Sequence, residues 1–247
     1  MITKYPGVAM KIVGDWLGQL NRRHNVLARR LRLRWARERC MQASPVDPAA
    51  HDGIVSYRDY HRYATIALAL RRIDLERITG ALAEAGVYRG AASRFIHRLA
   101  PGRHYYLFDT FSGFHQDDVE AGVGEDPRFR DTSLEAVLRA IGDTANIEPR
   151  KGRVPETFAG LEGERFAFVL LDMDLYAPTI SALQFFYPRL SPGGYLMVHD
   201  YHNPESDWAC RRAVDEFLAD KPEGAIEIAD MWGSVMFRKA KPAPGTR

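Results

Sequence analysis

The stretch FVLLDMDLYAPTISALQFFYPRLSPGGYLMVHDY, residues 168–201, decides the fold class of this 247-residue chain. Two short apolar runs, Phe168–Leu171 and Tyr195–Val198, predict strands of a parallel sheet that is covered on both faces. Between them Pro178 can open a helix at its first turn, and Ser-Pro-Gly-Gly at 191–194 is expected to end that helix. The three elements form one βαβ unit, which favours an α/β fold.

Four acidic or metal-capable residues follow the two strands of this unit, namely Asp172, Asp174, His199 and Asp200. A right-handed crossover makes the strands parallel, so these side chains should meet at the carboxyl edge, where open α/β sheets bind ligands. Asp172 and Asp174 flank Met173, so only one, preferably Asp172, is expected to point into the cleft. Carboxylates and an imidazole gathered there predict a shared cation or proton. The alternatives are solvated acids and a structural histidine.

A glycine turn lies earlier in the chain, at residues 84–90, Glu-Ala-Gly-Val-Tyr-Arg-Gly. It joins a predicted strand near Ala83–Ala85 to a predicted helix over Ala91–Leu99, so a ligand can approach the backbone and free N–H groups. Asp109 follows the next strand, where a carboxylate can accept both hydroxyls of a ribose. The spacing lacks GxGxxG and the chain lacks GK[ST], which favours an adenosine without a diphosphate. The alternatives are a plain tight turn and a cap that Asp109 makes with Thr110.

The rest of the chain predicts further elements of the same sheet. A polar insert, 112–130, is of a length usually found in lids or disordered segments, and its acidic part, 116–131, is expected to shape a substrate pocket. The predicted helices are Tyr60–Ile78, one that Ser133 begins, Pro155–Leu161 and Arg211–Ala219. The predicted strands are His104–Phe108, Ile147–Lys151 and a closing antiparallel hairpin of Ile226–Ala229 with Ser234–Arg238.

Charge divides the chain into two parts. Residues 1–40 contain ten Lys or Arg against Asp15 and Glu38, a net charge of +8, so the remainder carries −6 in a chain of net charge +2. We therefore read residues 1–56 as a basic helical arm and linker, and 57–247 as the catalytic domain. The arm is interpreted as a structural or dimerising element, which predicts a homo-oligomer, with peripheral membrane contact as the alternative. Nucleic acid is not an expected partner.

Two observations bear on the compartment. No apolar run reaches the ~20 residues that span a bilayer, and the N-terminus carries no signal-peptide stretch. Cys40 and Cys210 lack the paired spacing of a zinc site or a disulfide framework, which suits a reducing compartment. The sequence therefore predicts a cytoplasmic protein.

Five ordered motifs together resemble the macrocin O-methyltransferase family, whose members transfer a methyl group from S-adenosylmethionine to sugar hydroxyls of macrolides and related glycosylated natural products. The resemblance covers residues 57–237. The motifs are EAGVYRG at 84–90, LFDTFSGF at 107–114, LDMDLYAPT at 171–179, YPRLSPGGYLMVHDY at 187–201 and CRRAVDEF at 210–217. The resemblance implies a Rossmann-like class I methyltransferase sheet with helices on both faces, preceded here by the helical arm.

The resemblance also implies roles for individual residues. The glycine motif and the acid after the second strand would hold the cofactor, which maps to Glu84, Gly86, Gly90 and Asp109. We extend this predicted cofactor site to the neighbouring residues Val87, Tyr88, Ser93 and Thr110 and to Asp172. The later acids would hold a magnesium ion near the acceptor hydroxyl, which maps to Asp172 and Asp200.

One departure from the family pattern concerns the metal. Family members carry two adjacent acids before the tyrosine, whereas this chain has His199, Asp200 and Tyr201. Mg²⁺ prefers oxygen ligands and imidazole suits Mn²⁺, Zn²⁺ and other transition ions, so the predicted divalent metal is Mg²⁺ or Mn²⁺ on Asp172, His199 and Asp200. A ligating His199 must be neutral, so activity is expected to fall as pH drops through ~6.5.

The resulting hypothesis is an S-adenosylmethionine-dependent O-methyltransferase acting on a sugar or glycosylated acceptor. Asp172 and His199 are the catalytic candidates, because the reaction must orient the acceptor oxygen and remove one proton. Four aromatic residues are candidates for stacking on sugar faces, namely Tyr176, Tyr201, Trp208 and Trp232. Two alternatives stay open: a nicotinamide-dependent oxidoreductase, and a non-catalytic scaffold with a basic surface-binding arm.

Overall fold

A computed structural model of the protein describes residues 59–119 and 126–241. The predicted basic arm and linker lie outside the described residues, as does part of the predicted insert, 120–125. None of the helices in the described residues is long and apolar enough to cross a bilayer.

The described residues form alternating helices and strands. The helices are α1 (Tyr60–Leu75), α2 (Ala91–Leu99), α3 (Leu134–Ile141), α4 (Tyr176–Phe186) and α5 (Ala209–Leu218). The strands are β1 (Ala81–Ala85), β2 (Tyr105–Asp109), β3 (Ile147–Lys151), β4 (Phe166–Leu171), β5 (Leu190–Val198), β6 (Ile226–Ile228) and β7 (Ser234–Arg238).

The seven strands form one sheet in the order β3-β2-β1-β4-β5-β7-β6. The strands β1 to β5 pair in parallel, and β7 is antiparallel to both β5 and β6, which is the predicted closing hairpin. Chain order reverses between β1 and β4, and open α/β sheets bind their ligands at such a point. The predicted α/β architecture is confirmed.

Helices cover both faces of the sheet, because the central strands are apolar on both sides. All six residues of β4 are buried. Val169 and Leu171 pack into a core with α4 and α5, whereas Phe168 and Leu170 pack into a second core with α1, α2 and α3. At ~25 cal/mol per Å² of buried apolar surface, these two cores are the main stabilising contribution to the fold.

Two sequence predictions about local structure were wrong. Ser191 to Gly194 does not end α4. That helix ends at Phe186, and the segment lies inside β5, where the pairing with β4 is irregular between Phe166 and Phe168. The predicted helix Pro155–Leu161 is only a short 3₁₀ turn, Glu156–Phe158, and Gly160 at φ +84° turns the chain away from a helical path.

Candidate active site

A cavity of about 560 Å³ lies at the carboxyl edge of the sheet. Seven of the predicted site residues line it, namely Gly86, Tyr88, Asp109, Thr110, Asp172, His199 and Asp200. Two backbone hydrogen bonds of 2.8 Å extend the strand pairing to this edge. The Asp172 N–H donates to the Ala85 carbonyl, and the His199 N–H donates to the Leu171 carbonyl. The two acidic segments are therefore held side by side by the sheet itself.

The glycine turn forms one wall of the cavity through a close backbone approach. Gly86 has φ +88°, and a Cβ atom on it would lie 1.9 Å from the carbonyl oxygen of Asp172. The Gly86 N–H donates to the Phe108 carbonyl at 2.9 Å. Only glycine allows the turn after β1 to lie between β2 and the acidic segment after β4.

Gly86→Ala is expected to abolish cofactor binding and to lower stability by more than about 1 kcal/mol, because the added methyl group overlaps a backbone carbonyl in a strained conformation. Gly102→Ala is the matched control, since a Cβ atom there meets nothing within 4 Å. Calorimetric titration with S-adenosylhomocysteine and thermal denaturation of both variants would measure the two effects. Equal behaviour of the two variants would contradict the close approach.

Asp109 ties the glycine turn to the start of the insert. One of its carboxylate oxygens accepts the backbone N–H groups of Val87 at 2.7 Å and Tyr88 at 2.9 Å, and the other accepts that of Phe111 at 2.6 Å. The alternative of a turn cap made by Asp109 with Thr110 is present as well, since the Thr110 hydroxyl accepts the Ser112 N–H at 3.2 Å and donates to the Gly113 carbonyl at 2.5 Å. A carboxylate offers about four acceptor sites, so one remains for a ligand. That site suffices for one ribose hydroxyl, and acceptance of both, which stays a prediction, would require a backbone N–H to give up its place.

Four predicted cofactor residues do not line the cavity, namely Glu84, Val87, Gly90 and Ser93. Glu84 is fully buried within β1, where its carboxyl group accepts the hydroxyl of Ser93 at 2.6 Å and that of Tyr105. Burial raises the pKa of Glu84 to about 7. Glu84 and Ser93 thus stabilise the junction of β1 and α2, and their direct contact with a cofactor stays a prediction.

The acidic edge of the cavity consists of Asp172, Asp174, His199 and Asp200. Asp172 lies at its centre. Its carboxylate accepts Arg62 Nη2 at 2.5 Å on one oxygen and lies 3.0 Å from His199 Nδ1 on the other. Burial disfavours the charged form, but the charges of Arg62 and His199 outweigh it and hold the pKa of Asp172 well below its usual range. Asp172 is therefore anionic at any physiological pH.

His199 lies between two carboxylates, since its Nδ1 is also 2.8 Å from the carboxylate of Asp200. Burial opposes the imidazolium, but the charge of Asp172 and the hydrogen bonds to both acids raise the pKa of His199 to about 10. The expected loss of activity near pH 6.5 is therefore corrected, because without a cation the imidazolium persists to much higher pH. The structure brings all three predicted metal ligands together.

Asp174 also lines the cavity, which corrects the expectation that it turns aside. Its φ of +59° lies in the left-handed region, which Asp tolerates better than most residues, and this rotates the side chain back toward the edge. Ser206 donates to its carboxyl group at 3.2 Å. Burial and repulsion from Asp200 raise the pKa of Asp174 to about 8, so this carboxyl group is largely protonated at pH 7.

The donor set fits a divalent cation. Asp172, His199 and Asp200 each offer one ligand atom, and the three atoms lie within 4.8 Å of one another. Burial raises the pKa of Asp200 as well as that of Asp174, so without a further positive charge the ionised forms of both acids are disfavoured. A divalent cation would supply the missing charge, provided that Nδ1 of His199 gives up its proton.

Sequence reasoning missed Arg62, the buried cation of the site. It lies four residues before Ile66 on the buried face of α1, and Asp59 flanks it at 3.6 Å. A charged residue at helical spacing within an apolar stripe was the available signal, because arginine is almost never fully buried without a partner. Its contact with Asp172 spans 110 positions of sequence, which no local pattern indicates.

The described parts of the insert line the cavity, as expected of a pocket-shaping segment, through Phe114, His115, Asp118, Arg128 and Phe129. Phe129 makes edge contacts with both Tyr88 and Phe114, at ring-centroid distances of 5.0 and 5.2 Å. Of the four aromatic candidates for sugar stacking, only Trp232 lines the cavity. The hydroxyls of Tyr176 and Tyr201 instead donate to Glu216 and Asp215, each at 2.6 Å.

A parallel sheet with a closing antiparallel strand, a glycine turn after β1 and an acid at the end of β2 define the class of Rossmann-like, S-adenosylmethionine-dependent methyltransferases. The macrocin-O-methyltransferase (TylF) family model matches residues 37–239. The chain belongs to this family and is an O-methyltransferase.

Known proteins of similar sequence and structure agree with this assignment. Mycinamicin III 3''-O-methyltransferase of Micromonospora griseorubida is 28% identical over 204 residues, which cover 71% of this chain and 77% of that protein. A 4'-O-methyltransferase of a rhamnosyl tetracenomycin from Streptomyces olivaceus is 30% identical over 65% and 70% of the two chains. The solved O-methyltransferase NovP superposes with a TM-score of 0.62 at 28% identity, over 74% and 81%.

Proposed function

We propose that this enzyme transfers a methyl group from S-adenosylmethionine to a hydroxyl of a sugar on a glycosylated natural product, with assistance from a divalent cation. The observation that carries the proposal is the position of Asp172, His199 and Asp200, which open into the same cavity as the glycine turn. A cofactor held by the turn and an acceptor held at the acidic edge would meet there. The relatives support the acceptor class, since one of them is named for 4'-O-methylation of a rhamnosyl tetracenomycin.

In an in-line displacement, the residues at the glycine turn would position the cofactor, and the apolar residues of the cavity would position the acceptor. Bound S-adenosylmethionine supplies an activated methyl group. The turn at Gly86 lets the cofactor approach the backbone, and Asp109 fixes the N–H groups of Val87 and Tyr88 that shape this wall. Phe129 and Trp232 line the cavity and would provide apolar surface for the acceptor.

The acidic edge handles the proton of the acceptor hydroxyl. A divalent cation on Asp172, His199 and Asp200 would act as a Lewis acid that lowers the pKa of this hydroxyl. Asp172 is a weak base because Arg62 and His199 hold its pKa well below its usual range. Nδ1 of His199 is the stronger base, but without a cation its pKa of about 10 keeps it protonated at neutral pH, so it would accept the hydroxyl proton only after losing its own.

Two measurements test the proposed function. Calorimetric titration should show binding of S-adenosylmethionine, and incubation with glycosylated acceptors should add the mass of one methyl group. Heat with a nicotinamide dinucleotide but none with S-adenosylmethionine would favour the oxidoreductase alternative. Cofactor binding without transfer to any sugar-bearing acceptor, in a panel that includes phenols, would reject the acceptor class.

We keep self-association or peripheral membrane contact through the basic arm as part of the proposal. Deletion of residues 1–40, which carry a net charge of +8, should leave cofactor affinity nearly unchanged, since the motifs of the predicted cofactor site all lie later in the sequence. It should alter either oligomeric state or salt-sensitive binding to anionic vesicles. Sedimentation and vesicle pelleting at low and high salt measure the two. An unchanged monomer without lipid affinity in either form would contradict both roles.

A further inference from the structure

His199 has a second nitrogen, on the side of the ring away from the acidic edge. Its Nδ1 is occupied by Asp172 and Asp200, at 3.0 and 2.8 Å. Its Nε2 is buried and has no hydrogen-bond partner among the described residues, although the whole side chain is only 5% exposed. An imidazole N–H in such a place costs free energy unless it finds an acceptor.

Two further acids lie beside the histidine. A ring nitrogen of His199 and one carboxylate oxygen each of Asp59 and Asp230 lie within 4.8 Å of one another. Because Nδ1 is already engaged, Nε2 is the nitrogen available to this second pair. Asp59 already contacts Arg62 at 3.6 Å and accepts the Met231 N–H at 3.3 Å.

Asp230 has the spare acceptor. Its Oδ2 accepts the Ser234 hydroxyl at 2.7 Å, whereas its Oδ1 is buried and without a partner among the described residues. Two unmatched atoms, a donor on His199 and an acceptor on Asp230, therefore belong to residues of one cluster. Two hydrogen bonds of ~2.8 Å through one water span such a gap, and His199, Asp230 and Asp59 give that water three polar partners.

We propose that Asp230 is a positioning residue for His199, accepting its Nε2–H across one bridging water and so holding Nδ1 toward the acidic edge. The proposal rests on the proposed function for its role in methyl transfer. It applies whether Nδ1 binds a cation or takes a proton, because in both cases the other nitrogen must keep its hydrogen and the ring its orientation. The turn that follows Asp230 contributes Met231 and Trp232 to the lining of the cavity. One segment would therefore position both His199 and part of the surface proposed to contact the acceptor.

The test compares Asp230→Asn and Asp230→Glu with Asp207→Asn, an exposed control whose left-handed backbone suits asparagine. Nitrogen-15 spectra of histidine-labelled, metal-free and substrate-free protein, with His199 assigned by its loss in His199→Gln, report the state of Nε2 directly. We expect Asp230→Asn to shift the Nε2 signal and speed exchange of its proton. Its kcat should fall about 10- to 100-fold, with KM for the cofactor unchanged.

The longer acid in Asp230→Glu should recover most of both readouts by reaching the same water, and Asp207→Asn should change neither. An unaltered His199 signal in Asp230→Asn would overturn the proposal whatever happens to activity. So would a loss of kcat that Asp230→Glu shares in full. Should the wild type methylate no glycoside, the proposed function fails, while the spectra of the metal-free protein still decide the contact between Asp230 and His199.

Discussion

Asp172→Asn is expected to reduce methyl transfer by about 10²- to 10⁴-fold, the range that a single proton-handling group contributes in enzymes. The Asp172 carboxylate accepts Arg62 at 2.5 Å and lies 3.0 Å from His199, so it compensates two buried cations at once. An amide cannot supply that charge. The substitution would leave the guanidinium with only the longer contact to Asp59, at 3.6 Å, and would free His199 from one of its two acceptors. Steady-state kcat and KM with saturating cofactor measure the loss.

Asp174→Asn provides the matched comparison, with the same chemical change two residues further along the chain. The pKa of Asp174 is raised to about 8 by burial and by repulsion from Asp200, so at pH 7 it is mostly the neutral acid. A neutral amide resembles that state, and asparagine tolerates the left-handed φ of +59°. We expect activity to stay within a few-fold of wild type. Equal losses in both variants would contradict the assignment of Asp172 as the permanent anion.

Measuring the stability of Asp172→Asn separates a loss of catalysis from a loss of folded protein. Removing one partner of a buried ion pair typically costs about 3–5 kcal/mol, and partial exposure of Asp172 places this case toward the lower end. A carboxylate with a depressed pKa stabilises the fold above its unfolded pKa, and this stabilisation is lost as pH falls through the lower, folded pKa. The difference in denaturation midpoint between wild type and Asp172→Asn should therefore shrink in strong acid.

The sheet could be predicted because each central strand has a recognisable local sequence pattern. The run around Val169 is apolar without interruption, as burial on both faces requires, and acids follow it at once. The helix over Ala91–Leu99 and the strand Ile147–Lys151 have the predicted bounds. The errors lie where local composition misleads, since Ser191 to Gly194 has the composition of a helix stop but is accommodated as an irregularity within β5.

Only those parts of the site that follow from the pairing of neighbouring strands could be predicted from the sequence. Parallel pairing of β4 and β5 places Asp172 next to His199 from sequence alone. The pattern could not show that Arg62 crosses from α1 to reach Asp172, or that Asp230 lies behind His199, because tertiary packing of distant segments creates both contacts. Glu84 shows the opposite case, a motif residue that burial directs away from the cavity.

The identity of the residue at position 199 is expected to decide the choice of metal. Treatment with a chelator should remove most activity from the wild type, and Mn²⁺ should restore more of it than Mg²⁺, because imidazole is a poor ligand for Mg²⁺. His199→Asp should reverse this preference, since it makes all three ligand atoms oxygens. Asp200→Asn should respond to no metal. Full turnover in chelator-stripped wild type would reject the metal and leave His199 or Asp172 as the base.

The metal affinity of the wild type should also rise with pH between pH 6 and 9. The charge of Asp172 outweighs the effect of burial and raises the pKa of His199 to about 10, so at neutral pH a proton occupies the nitrogen that the cation needs. Below that pKa, each unit of decreasing pH should weaken apparent affinity about tenfold, and binding should release close to one proton. Calorimetric Mn²⁺ titrations between pH 6 and 9, in buffers of different ionisation enthalpy, measure both quantities.

His199→Asp is the control for this pH dependence, because a carboxylate titrates normally near ~4 and should give a flatter dependence above pH 6. A flat dependence in the wild type would mean that the cation binds Asp172 and Asp200 without displacing the proton of His199. The histidine would then be a hydrogen-bonded cation beside the metal, as Arg62 is beside Asp172. The slope of affinity against pH therefore distinguishes a ligand from a neighbour at position 199.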